Sequence, residues 1–215
     1  MAEYKTIIFD LDGTLLDSLE DLRDSINTIL RRHGYPERSL EEIRRFVGNG
    51  AQKLICRALP EGSSEEEIRE RLAEYSDYYL LHSRIKTRPY KEIPELLAEL
   101  AKRGIRVGVV SNKGEETVKE LCESYFPGCI AAAVGDREGF RRKPAPDNIR
   151  RAMELLGAEA ETVLYVGDSE VDIETAGNCG LKSVLVSWGF RERELLLAKG
   201  AQVVIDRPLE LLDWI

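Results

Sequence analysis

The stretch Thr6-Ile7-Ile8-Phe9-Asp10-Leu11-Asp12-Gly13-Thr14-Leu15-Leu16-Asp17-Ser18 opens as a strand and runs into carboxylates. Its apolar or β-branched start, Thr6 to Phe9, suits the centre of a parallel sheet covered on both faces. Asp10 stands where that strand would end, and open α/β sheets bind ligands at the carboxyl ends of their strands. Asp12, two residues on, points the same way as Asp10 if the backbone stays extended. Gly13 allows a sharp turn and a close approach to a ligand. Two carboxylates on one strand end repel, and a fold tolerates that only if a cation or a shared proton relieves them. The stretch therefore asks for a metal ion, for proton-transfer chemistry, or for both.

Outward from it, two patterns divide the chain. Strand one covers residues 4–10. Residues 16–86 then read as helical with no strand signal: Leu19, Leu22, Ile26, Ile29 and Leu30 recur at helical spacing, and Ser39-x-x-Glu42 and Ser64-x-x-Glu67 are capping boxes. From Glu92 helices and strands alternate. Helices are expected at 93–103, 114–124, 146–156, 171–179 and 191–199, and strands at 106–111, 130–134, 162–166, 183–186 and 202–205. Such alternation means a parallel sheet with helices on both faces. The expected division is a core of residues 1–15 and 87–215 and an inserted helical domain of residues 16–86.

Totals narrow the classes. At 215 residues and 43% hydrophobic content, the chain can bury a sizeable core. A formal charge of −8 argues against a nucleic-acid surface or an anionic membrane. No apolar run approaches the ~18 residues of a membrane span. The start, Met1-Ala2-Glu3-Tyr4-Lys5, enters a strand without a signal-peptide pattern. Cys56, Cys122, Cys129 and Cys179 are scattered, and reduced, mostly buried thiols of a cytoplasmic protein are expected. His33 and His82 lie in helical stretches and make a poor basis for a Ser-His-Asp device.

Each strand end carries polar chemistry. The first ends in Asp10 to Thr14, the next in Ser111-Asn112-Lys113, and a later one in Gly167-Asp168-Ser169-Glu170-Val171-Asp172. Arg141-Arg142-Lys143-Pro144-Ala145-Pro146 places cations just before a helix. Parallel strands bring these clusters to one rim. The aspartates offer hard oxygen ligands that suit Mg²⁺. Lys143 offers a point charge and Ser111 a hydroxyl, which together make a place for a phosphate. At an effective dielectric of ~20, a unit charge ~4 Å away is worth ~4 kcal/mol, so an unscreened Asp10 would repel that phosphate.

These clusters resemble the four motifs of the haloacid dehalogenase-like hydrolase superfamily. Asp-x-Asp-x-Thr matches Asp10 to Thr14, the Ser after a strand matches Ser111, the Lys matches Lys143, and Gly-Asp-Ser-x-x-Asp matches Gly167 to Asp172. The resemblance spans nearly the whole chain and implies a Rossmann-like core with an α-helical cap. It implies a Mg²⁺-dependent phosphatase with Asp10 as nucleophile and Asp12 as acid and base. Mg²⁺ would sit on Asp10, the Asp12 main-chain oxygen and Asp168, with Asp172 behind them. Ser111, Lys143 and main-chain N–H groups near Asn112 would hold the phosphoryl oxygens. Thr14 leans towards phosphatase rather than phosphomutase.

Within the helical block, Phe46-Val47-Gly48-Asn49-Gly50-Ala51 with Leu54 and Arg57 resembles the phosphoglycolate phosphatase group, as does Ser187-Trp188-Gly189-Phe190. The implied substrate is 2-phosphoglycolate, with Gly48, Asn49 and Gly50 as the cap's substrate loop. Alternatives are pyrophosphate, a sugar phosphate or a nucleotide, or a non-catalytic relative that binds phosphate or a protein. The expected partner is a small phosphorylated metabolite, not nucleic acid or membrane, and the expected state a monomer or homodimer. Two departures stand out: Arg141 and Arg142 before Lys143, which either attract phosphate or are only solvated, and Glu174-Thr175, where the family often has two small residues.

Overall fold

The computed structural model describes residues 4–215. The reading of Met1, Ala2 and Glu3 falls outside the described residues. The chain divides into two compact units, one of residues 1–17 and 89–215 and the other of residues 18–88.

The first unit is an α/β sandwich. Its strands are β1 (Thr6–Phe9), β4 (Arg106–Gly114), β5 (Ala132–Asp136), β6 (Val163–Gly167), β7 (Lys182–Val186) and β8 (Val204–Ile205). They form one six-stranded sheet in the order β5-β4-β1-β6-β7-β8, with every described pairing parallel. β1 lies between β4 and β6, so the ends of these three strands are neighbours. Two short strands, β2 (Leu16–Asp17) and β3 (Arg88–Pro89), form a separate sheet, which corrects the expectation of a purely helical stretch from residue 16.

Alternation along the strands builds two apolar layers. Ile7, Phe9, Val107, Val109, Leu164 and Val166 pack with α5 (Ile93–Lys102) and α6 (Glu115–Tyr125). Ile8, Val110, Val134, Val163 and Tyr165 face the other way, with Ile149, Ala152 and Leu156 of α7 (Asp147–Leu156) and Ala176 of α8 (Glu170–Cys179). Ile7, Ile8 and Phe9 are essentially fully buried, each worth about 1.5–3 kcal/mol of burial. α9 (Arg193–Ala198) precedes β8.

Two strands depart from expectation. β4 runs on through Ser111, Asn112 and Lys113, because past a register shift Gly114 pairs again with Asp136. β5 starts at Ala132 rather than Ile130, its register set by pairing with Gly108 of β4. The thiols depart too: Cys122 is buried, Cys129 and Cys179 are half-buried, and Cys56 is exposed.

The second unit holds α1 (Leu19–Arg32), α2 (Leu40–Phe46), α3 (Ala51–Ala58) and α4 (Glu65–His82). Leu22, Ile26, Ile29, Ile43, Leu54, Ile55, Tyr75 and Tyr79 are buried. Ser39 and Glu42 form the full reciprocal cap. Ser64 accepts the Glu67 N–H at 3.1 Å, while the Glu67 carboxylate takes the Tyr35 hydroxyl. Asp21, buried in the first turn of α1, accepts the main-chain N–H groups of Lys86 and Thr87 and the Thr87 hydroxyl. Among the described residues, no helix is long and apolar enough to cross a membrane.

Candidate active site

Asp10 continues β1 by one step, donating its N–H to the Val166 carbonyl at 2.8 Å. A tight turn follows, in which the Leu11 carbonyl accepts from Leu15 and Leu16 at 2.9 and 3.0 Å. Gly13 takes φ 87° there, and a Cβ would lie 2.2 Å from Asp168 Oδ2, so backbone and space both require glycine. At the end of β6, a Cβ on Gly167 would lie 2.3 Å from Asp172 Cγ. Asp168 thus closes in on the turn after β1, and Asp172 packs against the end of β6.

Asp10, Asp168 and Asp172 are buried, each with a carboxylate oxygen within 4.8 Å of the others. Lys143, also buried, reaches them from the loop before α7. Its Nζ lies 2.8 Å from Asp10 Oδ1 and 2.8 Å from Asp172 Oδ1. The Tyr165 hydroxyl stands 3.0 Å from Nζ and 2.8 Å from Asp172 Oδ1. Asn112 fixes this loop, donating Nδ2–H to the Lys143 carbonyl at 3.0 Å and accepting the Lys143 N–H at 2.8 Å. Its side chain is thereby committed to the loop. Ser111 is buried beside it, and its Oγ accepts the Lys113 N–H at 3.2 Å.

The charges do not balance. Burial pushes the Asp10 carboxyl up to about 7, with Lys143 opposing and Asp172 reinforcing. Burial likewise raises Asp168 well above the usual carboxylate range, helped by Asp172 and Asp10. For Asp172, burial also disfavours charge, but Lys143 and hydrogen bonds from Ser169 and Tyr165 bring the net shift below the ordinary value. Lys143 stays protonated, Asp10 and Asp172 outweighing its burial. Lys143 lies equally close to Asp10 and Asp172, so one cation faces three buried carboxylates and the cluster is short of positive charge.

A divalent cation with oxygen ligands fits that imbalance. Asp10 and Asp168 are the donors best placed to hold one. Asp172 Oδ2 already accepts from the Ser169 hydroxyl and the main-chain N–H groups of Asp168 and Ser169. Asp12 stands apart from this cluster, its carboxylate 3.1 Å from the Lys113 ammonium. The crowding of Asp10 and Asp12 expected from the sequence is thus met by two different lysines.

Several supporting residues escaped the sequence reading. Tyr165 looked like one more core residue of its strand, yet a buried tyrosine hydroxyl needs a partner, and that was the available signal. Phe190 donates its N–H to Asp168 Oδ2 at 2.7 Å. Nothing local pointed to Lys113 as a partner of Asp12. Arg141 and Arg142 pair with Asp147 and Asp136 at 3.0 and 2.7 Å. In the helical unit, Gly48 and Gly50 take φ 119° and 84° around Asn49, whose Oδ1 accepts from Arg57 at 2.8 Å.

Known proteins share this architecture. Residues 7–186 match the model of the haloacid dehalogenase-like hydrolases. A phosphoglycolate phosphatase of Aquifex aeolicus is 35% identical over 96% of this chain and 94% of its own. An N-acetylmuramic acid 6-phosphate phosphatase of Pseudomonas aeruginosa is 32% identical over 97% and 93%. A solved structure from Lactobacillus delbrueckii subsp. bulgaricus, provisionally described as a phosphoglycolate phosphatase, superposes with a TM-score of 0.94. It is 34% identical and covers 99% of this chain and 98% of its own. With its family motifs set on three adjacent strand ends and most of its length matched, the chain belongs to the haloacid dehalogenase-like hydrolase family.

Proposed function

We propose that this protein is a Mg²⁺-dependent phosphatase that hydrolyses a small phosphate monoester, 2-phosphoglycolate first among them. The observation that carries the reading is Lys143, buried 2.8 Å from Asp10 beside two further carboxylates. That arrangement holds a nucleophilic oxygen next to a cation able to take phosphoryl oxygens. The substrate follows from relatives such as the 35% identical phosphoglycolate phosphatase.

In the first step an Asp10 oxygen attacks phosphorus and forms the aspartyl-phosphate. The bond from phosphorus to the ester oxygen breaks, and that oxygen leaves as the alcohol with a proton from Asp12. In the second step water attacks phosphorus, gives its proton to the Asp12 carboxylate, and releases inorganic phosphate as the bond to Asp10 breaks. Lys143, the Ser111 hydroxyl and the Asn112 main chain hold the phosphoryl oxygens. Asp10, Asp168 and the Asp12 carbonyl would hold Mg²⁺, which would supply the charge that lets an anionic nucleophile meet an anionic ester. The helical unit serves as a cap, with Gly48, Asn49 and Gly50 as its specificity loop.

A sugar phosphate is the second reading, favoured by the relative that acts on N-acetylmuramic acid 6-phosphate. A panel of 2-phosphoglycolate, N-acetylmuramic acid 6-phosphate, pyrophosphate and nucleoside monophosphates, ranked by kcat/KM with Mg²⁺, decides between them. The highest value is expected for 2-phosphoglycolate. A clear lead for another ester reassigns the substrate, and no hydrolysis of any ester overturns the phosphatase reading.

A further inference from the structure

Lys113 is engaged at both ends. Its ammonium lies 3.1 Å from Asp12 Oδ1, and the two side chains are only 7% and 13% exposed. Its main-chain N–H donates to Ser111 Oγ at 3.2 Å. It stands on the polar extension of β4, in the segment where the pairing register with β5 shifts. Gly135 of β5 makes room for that extension, since a Cβ there would lie 2.7 Å from the Lys113 carbonyl and 2.5 Å from Glu115 Cα. Close to Asp12 there is also apolar burial: burial, and secondarily the Asp12 charge, push the Cys122 thiol up to about 12. A long, flexible lysine is thus held nearly buried with its charge on one carboxylate oxygen, at an entropic cost for the side chain. An ion pair placed for solubility alone would sit at the surface and bear no such cost.

We propose that Lys113 is a positioning residue for the phosphatase reaction, fixing the Asp12 carboxylate for proton transfer to the departing ester oxygen. The proposal rests on the reading in which Asp12 moves that proton. An ammonium on Oδ1 restrains the side-chain torsions of Asp12, and alignment of donor with acceptor sets the rate of such a transfer. Through its N–H on Ser111, the same residue ties the phosphate-holding hydroxyl to the acid. Lys143 orients the nucleophile and Lys113 the proton donor, so each working aspartate has a lysine of its own.

The test compares esters that differ in their need for a proton. An alkyl phosphate such as 2-phosphoglycolate leaves poorly without one, whereas 2,4-dinitrophenyl phosphate leaves as a stable anion. The quantity compared is kcat/KM, which covers steps only up to formation of the aspartyl-phosphate. Lys113→Met is expected to lower it by about 30-fold or more for the alkyl ester and by less than about 3-fold for the dinitrophenyl ester. Asp12→Asn should show the same split, and Lys113→Arg should recover much of the loss. Should Lys113→Met fail to fold by circular dichroism, Lys113→Gln carries the same comparison. Equal losses on both esters, or no loss, would overturn the positioning role. If Asp12→Asn itself shows no split, the assignment of Asp12 falls and takes the proposal with it; a split in Asp12→Asn alone removes only Lys113.

Discussion

Trp188 donates its indole N–H to the Thr14 carbonyl at 3.0 Å, joining two segments 174 positions apart in the chain. The next residues extend that junction. Phe190 donates to Asp168 Oδ2 at 2.7 Å, and Arg191 pairs with Glu170 at 2.9 Å. Gly189 between them has no space for a side chain: a Cβ would lie 2.4 Å from the Gly13 carbonyl oxygen and 2.4 Å from Asp168 Cβ. One loop after β7 thus braces the turn after β1 and one oxygen of Asp168.

Gly189→Ala should therefore displace Asp168 or the Gly13 turn, because the added Cβ meets the Asp168 Cβ and the Gly13 carbonyl oxygen equally closely. We expect stability to fall by about 1–3 kcal/mol, the range of an overpacked site, and Mg²⁺ to bind at least about tenfold more weakly by calorimetry. Trp188→Phe removes one hydrogen bond and should cost about 1 kcal/mol. Wild-type Mg²⁺ affinity in Gly189→Ala would refute the bracing role.

Asp10→Asn should abolish turnover while circular dichroism stays native, since the amide keeps the shape but, on the proposed mechanism, cannot attack phosphorus. EDTA should stop the wild-type enzyme, and Mg²⁺ should restore it and raise the melting temperature, because a ligand bound only by the folded state stabilises it. Activity in Asp10→Asn contradicts the mechanism, and full activity in chelator contradicts the metal.

Asn49→Ala removes the acceptor of the 2.8 Å hydrogen bond from Arg57, between the positive-φ glycines Gly48 and Gly50. A severalfold rise in KM or fall in kcat is expected for the natural ester, with a smaller effect on a generic aryl phosphate. Equal effects on both would show that the loop does not select substrate.

Glu115 makes stability depend on pH through partners other than the buried aspartates. Its hydrogen bond from Arg151, aided by Lys119, holds the carboxyl at about 2 against an ordinary 4.5. A depressed carboxyl stabilises the fold above its unfolded value and loses that contribution as pH falls through the folded one. Glu115→Gln should cost about 1 kcal/mol at pH 7, the full shift being discounted for solvent screening. The difference from wild type should shrink between pH 4.5 and pH 2. Urea denaturation across that window checks it, and a constant difference would rule out the linkage.

Much of this was legible along the chain. The run Thr6 to Phe9 reads as a central strand because, for burial on both faces, it is apolar or β-branched throughout and carries no charge. Glycines at 104, 157 and 180 follow the ends of their helices, each with positive φ. The extension of β4 was not legible, because Ser111, Asn112 and Lys113 carry no strand propensity and the Gly114–Asp136 pairing that resumes the ladder beyond them is not local. The contacts of Tyr165 and Phe190 were not legible for a related reason: one acts through a hydroxyl and the other through its main-chain N–H.

By itself, then, the sequence determined the order of the strands along the chain and the chemistry at their ends. Local periodicity and residue type are enough for that. Which lysine meets which aspartate was decided only by tertiary structure. Asp10 and Asp12 are two residues apart, yet one faces Lys143 and the other Lys113. That choice depends on β1 lying between β4 and β6, a pairing between segments about a hundred or more residues apart that no local pattern encodes.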